Sequence, residues 1–147
     1  MDKNVRIIIV DDDENIRKTM KAILEDEGYV VDLAATGSEA IEMTQETVYN
    51  IALLDIRLPD MEGVKLLKLI KDNVPKTRKI MVTGYPSMQN AISALNMKAD
   101  AYLIKPIDVE KLINLVKEQL QLQEDEKSFS EQKVAEFIET RAKEISI

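Results

Sequence analysis

Apolar and polar positions alternate along this chain in blocks whose period switches repeatedly between that of a strand and that of a helix. Short apolar runs occur at Val5–Val10, Tyr29–Leu33, Ile51–Leu54, Lys79–Val82 and Ala101–Ile104. Their length and β-branched content suit strands, and runs apolar on both faces suit a parallel sheet covered on each side. Helical spacing fills the gaps. Ile16, Met20, Ile23 and Leu24 form one stripe; Ala40, Ile41, Thr44 and Val48 a weaker second; Val64, Leu67 and Ile70 a third. Met88, Ala91, Ile92 and Leu95 form a fourth, and Val109, Leu112, Ile113, Val116 and Leu120 a clear fifth. Gly28 follows the first stripe as a C′ residue would, and Asp108 precedes the fifth as an N-cap. All four glycines and all four prolines fall between the blocks and punctuate them as turns. Strand and helix alternate five times, which predicts an open, doubly wound α/β sheet.

After Pro106 there is neither glycine nor proline. Ser128-Phe129-Ser130-Glu131 has the form of a capping box, followed by Val134, Phe137, Ile138 and Ile145 at helical spacing. This predicts a sixth, charged helix over residues 124–147, outside the five-unit domain of residues 1–123. Two roles suit it: a surface helix docked on the domain, or a dimerising or linking helix.

Composition narrows the classes. A chain of 147 residues, 45% hydrophobic and 32% charged, holds one ordinary folded domain plus an appended element. No apolar run approaches the roughly 20 residues of a membrane helix, and no signal-peptide pattern opens the chain. Without cysteine there is no disulfide or thiolate site, so cytoplasm is the default. A net charge of −7 offers no basic stripe for phosphates and argues against nucleic-acid binding by this chain. The absence of histidine excludes imidazole catalysis, a histidine metal site and a phosphohistidine carrier.

The candidate chemistry lies at strand ends. Asp11, Asp12 and Asp13 close the first apolar run, and a lone Asp55 closes the third. In a doubly wound sheet, ligands bind where the carboxyl ends of the strands meet a reversal of strand order. Carboxylates gathered there raise one another's pKa unless a cation offsets them, and oxygen ligands suit a hard divalent ion such as Mg²⁺, or Mn²⁺. The triplet alone would equally suit the positive end of the following helix, an effect of about 0.3–1 kcal/mol per charge; Asp55 tips the balance toward a metal. Thr83 and Lys105 close the fourth and fifth runs. A hydroxyl and an ammonium beside a carboxylate–metal pair make a site for a phosphoryl group, which a carboxylate can accept as an acyl phosphate.

The stretches "IIIVDDDENI", "LLDIRLPDMEG", "VTGYP" and "DAYLIKP" resemble, in order and spacing, the four signatures of the receiver domain of two-component response regulators, across about residues 5–121. The resemblance implies a flavodoxin-like, five-stranded parallel sheet in the order 2-1-3-4-5 with helices on both faces. It implies Asp55 as phosphoacceptor, with Asp11, Asp12 and the backbone carbonyl of Arg57 completing the metal site. It gives Thr83 and Lys105 contacts to the phosphoryl group, makes Tyr102 a switch aromatic that follows Thr83, and makes the Lys105–Pro106 peptide bond cis. The implied partner is a sensor histidine kinase or phosphotransfer protein. Homodimerisation would use the face of the fourth helix, fifth strand and fifth helix, or the C-terminal helix. Lys98 stands where the family often has glycine. Arg57 and Tyr85, each two residues past a site residue, are bulky and are expected to slow the approach of water to a phosphoaspartate.

Two other functions fit less of the chain. A phosphatase of the haloacid dehalogenase type would use Asp11 as nucleophile, yet no late acidic pair follows Lys105. A module that signals by contact alone would have no use for the strand-end set. With no DNA-binding or ATPase pattern after residue 123, the chain reads either as a stand-alone receiver or as part of a longer regulator.

Overall fold

In a computed structural model, residues 5–70, 75–84 and 99–145 are described, and all structural statements concern these. Five strands, β1 (Arg6–Val10), β2 (Val30–Ala34), β3 (Ile51–Asp55), β4 (Arg78–Thr83) and β5 (Ala101–Ile104), form one sheet. The order is β2-β1-β3-β4-β5 and every neighbouring pair is parallel. Helices α1 (Glu14–Asp26), α2 (Gly37–Glu46), α3 (Gly63–Leu69) and α4 (Val109–Ile145) complete the described elements. The expected helix through Met88–Leu95, together with Tyr85 and Lys98, lies outside the described residues.

The strands are apolar on both faces because both are covered. Ile7, Ile9, Leu53, Ile80 and Val82 pack with Met20 and Leu24 of α1 and Leu112 and Val116 of α4. On the other face Ile8, Val10, Leu54 and Met81 pack with Ala40 of α2 and Leu66 and Leu67 of α3. Each fully buried aliphatic contributes about 1.5–3 kcal/mol relative to exposure. Helix α1 ends as its sequence suggests: Gly28 has φ +96°, its N–H bonds the Glu25 carbonyl and that of Tyr29 the Leu24 carbonyl, a Schellman closure. Asp108 caps α4, accepting from the Lys111 N–H at 3.1 Å.

Two expectations fail. Val48 does not join the α2 stripe, for the helix stops at Glu46 and Val48 is exposed. The C-terminal segment is helical as expected but is not a separate sixth helix: α4 runs unbroken through residue 145. Nothing in the sequence interrupts it, and a capping box acts only where a chain enters a helix, so Ser128 and Glu131 lie mid-helix on a solvated face. Nor is the extension docked, since every residue from Glu124 to Glu144 is exposed.

Candidate functional site

The sheet order reverses between β1 and β3: the chain steps outward to β2 on one side and to β4 and β5 on the other. The register pairs Val10 with Leu54, so the next residues, Asp11 and Asp55, emerge side by side at that reversal. Carboxylate oxygens of Asp11, Asp12 and Asp55 lie within 4.8 Å of one another. They line a cleft of about 530 Å³ with Asp13, Ile16, Arg57, Gly84 and Lys105.

The three consecutive aspartates divide their work. Asp11 is buried and accepts the Asp13 N–H at 2.9 Å through Oδ1. Asp12 is exposed to the cleft. Asp13 is the N-cap of α1, accepting from the N–H groups of Asn15 and Ile16 at 2.9 and 3.1 Å. The helix-end explanation therefore holds for Asp13 alone.

Lys105 sits between the buried acids, its Nζ 2.8 Å from Asp11 Oδ2 and 3.3 Å from Asp55 Oδ2. The first contact is an ion pair in distance but not a well-aligned hydrogen bond. Asp55 Oδ1 accepts the Arg57 N–H at 3.2 Å. Burial, then the Asp11 charge, push the Asp55 carboxyl above the ordinary carboxylate range, against the opposing pull of Lys105. Burial works against the Lys105 ammonium, but its contacts with Asp11 and Asp55 outweigh this and raise its pKa. Around the cleft, four carboxylates (Asp11, Asp12, Asp13, Asp55) face two cations (Arg57, Lys105), a surplus of two negative charges. A divalent cation with a preference for oxygen ligands fits both the surplus and the donor set.

The other expected residues stand further off. Thr83 ends β4 fully buried, beneath the cleft wall rather than in it. Its backbone carbonyl accepts the Lys105 N–H at 2.7 Å, and the Lys105–Pro106 bond is cis. Tyr102 lines a different cleft with Leu103, Lys111 and Leu115, and its hydroxyl is buried without a hydrogen-bond partner. Met81 pairs with Tyr102 in the register, which puts Thr83, two residues on, at a diagonal position on the same face.

Three supports were not apparent in the sequence. Arg17 of α1 donates from Nη1 to the Asp11 carbonyl at 2.7 Å, fixing the turn that carries the acids. Asp60 accepts from the N–H groups of Gly37 and Ser38, each at 2.9 Å, and from Ser38 Oγ at 2.7 Å, tying the loop after β3 to the start of α2. The Ser38 hydroxyl and those two amides hold its carboxyl down at about 2. A side chain at Gly63 would collide with the Asp55 carbonyl oxygen. Arg17 and Asp60 act over 6 and 22–23 residues through polar contacts that no periodicity reveals.

A family model described as the response regulator receiver domain matches residues 7–117. Regulatory protein AtoC of Escherichia coli K12 is 35% identical over 118 residues, covering 80% of this chain and 26% of that protein. Transcriptional regulatory protein ZraR of Klebsiella oxytoca is 40% identical over 110 residues, covering 75% of this chain and 25% of that protein. The chain thus spans about a quarter of the length of these relatives. Among solved structures, a CheY-like receiver domain protein from Methanospirillum hungatei is similar with TM-score 0.80 and 47% identity, covering 84% of this chain and 98% of that one. NtrX from Brucella abortus is similar with TM-score 0.80 and 27% identity, covering 86% of this chain and 29% of that one.

Proposed function

Because the chain belongs to the receiver-domain family of two-component response regulators, we propose that it is a switch set by phosphorylation of Asp55. The observation that carries this reading is the convergence of Asp11, Asp12 and Asp55 at one reversal of strand order, with Lys105 against two of them. A histidine kinase or phosphotransfer protein supplies the phosphoryl group. An Asp55 carboxylate oxygen forms the new bond to phosphorus, the bond to the donor imidazole breaks, and the imidazole leaves with its electron pair and is protonated. Asp11, Asp12, Asp55 and the Arg57 carbonyl would hold Mg²⁺, or Mn²⁺, which would offset charge on the phosphoryl oxygens. Lys105 pairs with one of those oxygens, and the Arg57 N–H remains at the carboxyl group. The Thr83 hydroxyl reaches the group by moving up from its buried position. Tyr102, diagonal to it, turns into the space released, a population shift between two packings.

The family is a phosphoacceptor signalling domain rather than an enzyme with an outside substrate. Against a phosphatase with Asp11 as nucleophile stands the burial of that residue and the commitment of its Oδ1 to Asp13. The intact mass of the chain after exposure to acetyl phosphate and Mg²⁺ tests the assignment. Wild type gains one phosphoryl group and Asp55→Asn gains none. Labelling lost only in Asp11→Asn would establish the phosphatase reading instead.

Arg57 lines the cleft and is exposed, which supports a role in obstructing water on its way to the phosphorylated carboxyl. Arg57→Ala is expected to speed dephosphorylation roughly 10-fold, a change of about 1.4 kcal/mol in barrier, as read by the decay of the labelled mass; an unchanged rate removes Arg57 from this role. Tyr85, proposed for the same task, is outside the described residues.

Residues 1–123 act as the receiver and residues 124–147 as a C-terminal helical extension or linker. Among the described residues no helix is long and apolar enough to cross a membrane. Phe129, Val134, Phe137 and Ile138 are exposed on the extension, large apolar side chains that pairing with a second copy would cover. This supports a homodimer through the extension, with the face containing β5 as the other surface. Light scattering should show a dimer that truncation after Gln123 converts to a monomer; a monomeric full-length chain with and without beryllofluoride excludes it.

A further inference from the structure

The buried stripe of α4 begins with Leu112 and Val116 and continues at Gln119 and Gln123, where two amides replace the aliphatic residues that packing alone would favour. Both are at least nine-tenths buried; Gln123 bonds through both its carbonyl oxygen and its amide nitrogen, Gln119 through its carbonyl oxygen. Gln123 Nε2 donates to the carbonyls of Asn50 at 3.0 Å and Lys76 at 2.7 Å, while its Oε1 accepts from Asn50 Nδ2 at 3.0 Å. Gln119 Oε1 accepts from Arg78 Nε at 2.9 Å. The Arg78 guanidinium also reaches Asp100 at 3.6 Å and Glu126, two turns past Gln119 on α4, at 3.7 Å. Asn50 and Arg78 stand at the amino-terminal ends of β3 and β4, the sheet edge opposite Asp55. After Glu126 the helix runs on to residue 145, exposed to solvent as far as Glu144, an arm of roughly 30 Å at 1.5 Å per residue.

We propose that Gln119 and Gln123 are positioning residues that latch α4 to β3 and β4 and so set the direction in which the exposed arm leaves the domain. An apolar contact at these positions would bury area but permit the helix to roll or slide. Donor–acceptor pairs aimed at two backbone carbonyls and a guanidinium fix its rotation and its register together. The arm inherits that direction because no glycine or proline lies between the latch and residue 145. The proposal does not depend on phosphorylation at Asp55, which lies at the other end of the strands.

The chain has no cysteine, so spin labels can be placed singly at residues 42 and 130, both exposed. Pulsed electron–electron resonance on labelled chain diluted into unlabelled chain then reads distances within one molecule. The wild-type distribution is expected to be narrow, and Gln123→Leu to broaden it about twofold as local anchoring is lost. Gln119→Met, which keeps a long unbranched side chain, is expected to broaden it in the same direction and carries the test should Gln123→Leu not fold. Acetyl phosphate labelling of Asp55 run on the same samples is expected to match wild type. A distribution broad in wild type, or one equally narrow in the variants even with a lowered melting temperature, overturns the proposal. Loss of labelling with the width unchanged likewise overturns it and ties the amides to the carboxylate end.

Discussion

Alanine at position 63 is expected to destabilise the fold by about 3 kcal/mol, at the upper end of what an added methyl group costs in a tightly packed site. The new Cβ would strike the Asp55 carbonyl oxygen and crowd the Asp55 carbonyl carbon at 2.9 Å and Ile56 Cα at 3.0 Å. These atoms are backbone at the end of β3, held by pairing with β4 and by the Ile56 N–H bond to the Val82 carbonyl. They cannot rotate aside as a side chain can. Helix α3 must therefore back away, breaking the 2.6 Å bond from the Gly63 N–H to the Ile56 carbonyl. Urea denaturation should show the lower midpoint, and Asp55 labelling should slow because the strand end that carries the carboxyl group has shifted. A midpoint equal to wild type would mean that the approach of α3 to β3 is not as close as described.

Asp55→Asn acts in the opposite direction on stability. The carboxyl group is pushed above its ordinary value of 3.8 by burial and by Asp11. Below that ordinary value both folded and unfolded chains hold the proton, and the group costs nothing. As pH rises, the unfolded chain releases the proton first, so stability falls until the folded-state pKa is passed. Above the ordinary carboxylate range the folded wild type therefore bears the cost of a group whose anionic form its surroundings disfavour, and asparagine removes that cost. Calorimetry should show a melting temperature higher by about 3 °C in Asp55→Asn at pH 7, with the gap closing as pH is lowered through the carboxylate range. A gap constant with pH would contradict the electrostatic origin. The phosphoryl label is abolished in the same variant, so loss of labelling cannot be blamed on unfolding.

The sheet was legible because its strands are apolar on both faces and its breaks fall on glycine and proline. The strand-end residues followed from this, for once the period is known, Asp11, Asp55 and Lys105 must emerge at one edge. What brought Asp11 beside Asp55 was strand order, and periodicity is silent on order; the resemblance supplied it. Thr83 sits at the expected strand end and is buried there, a depth that strand-end position does not reveal. Gly63 read only as a turn because a close approach of two backbones leaves no pattern in sequence. Gln119 and Gln123 were missed for a related reason, since buried amides break the apolar stripe that marks a packed face. At Ser128 the local motif was present without its context: with helix already formed from Val109, a capping box has no free N–H groups to satisfy.

The central claim is that acids from two strand ends share one divalent cation so that Asp55 can take a phosphoryl group. A crystal structure with Mg²⁺ and beryllofluoride tests it most directly. The beryllium is expected on an Asp55 carboxylate oxygen and the metal at about 2.1 Å from oxygens of Asp12 and Asp55, with the Lys105 ammonium moved onto a fluoride. Beryllium on Asp11, or a metal bound away from Asp55, would contradict it.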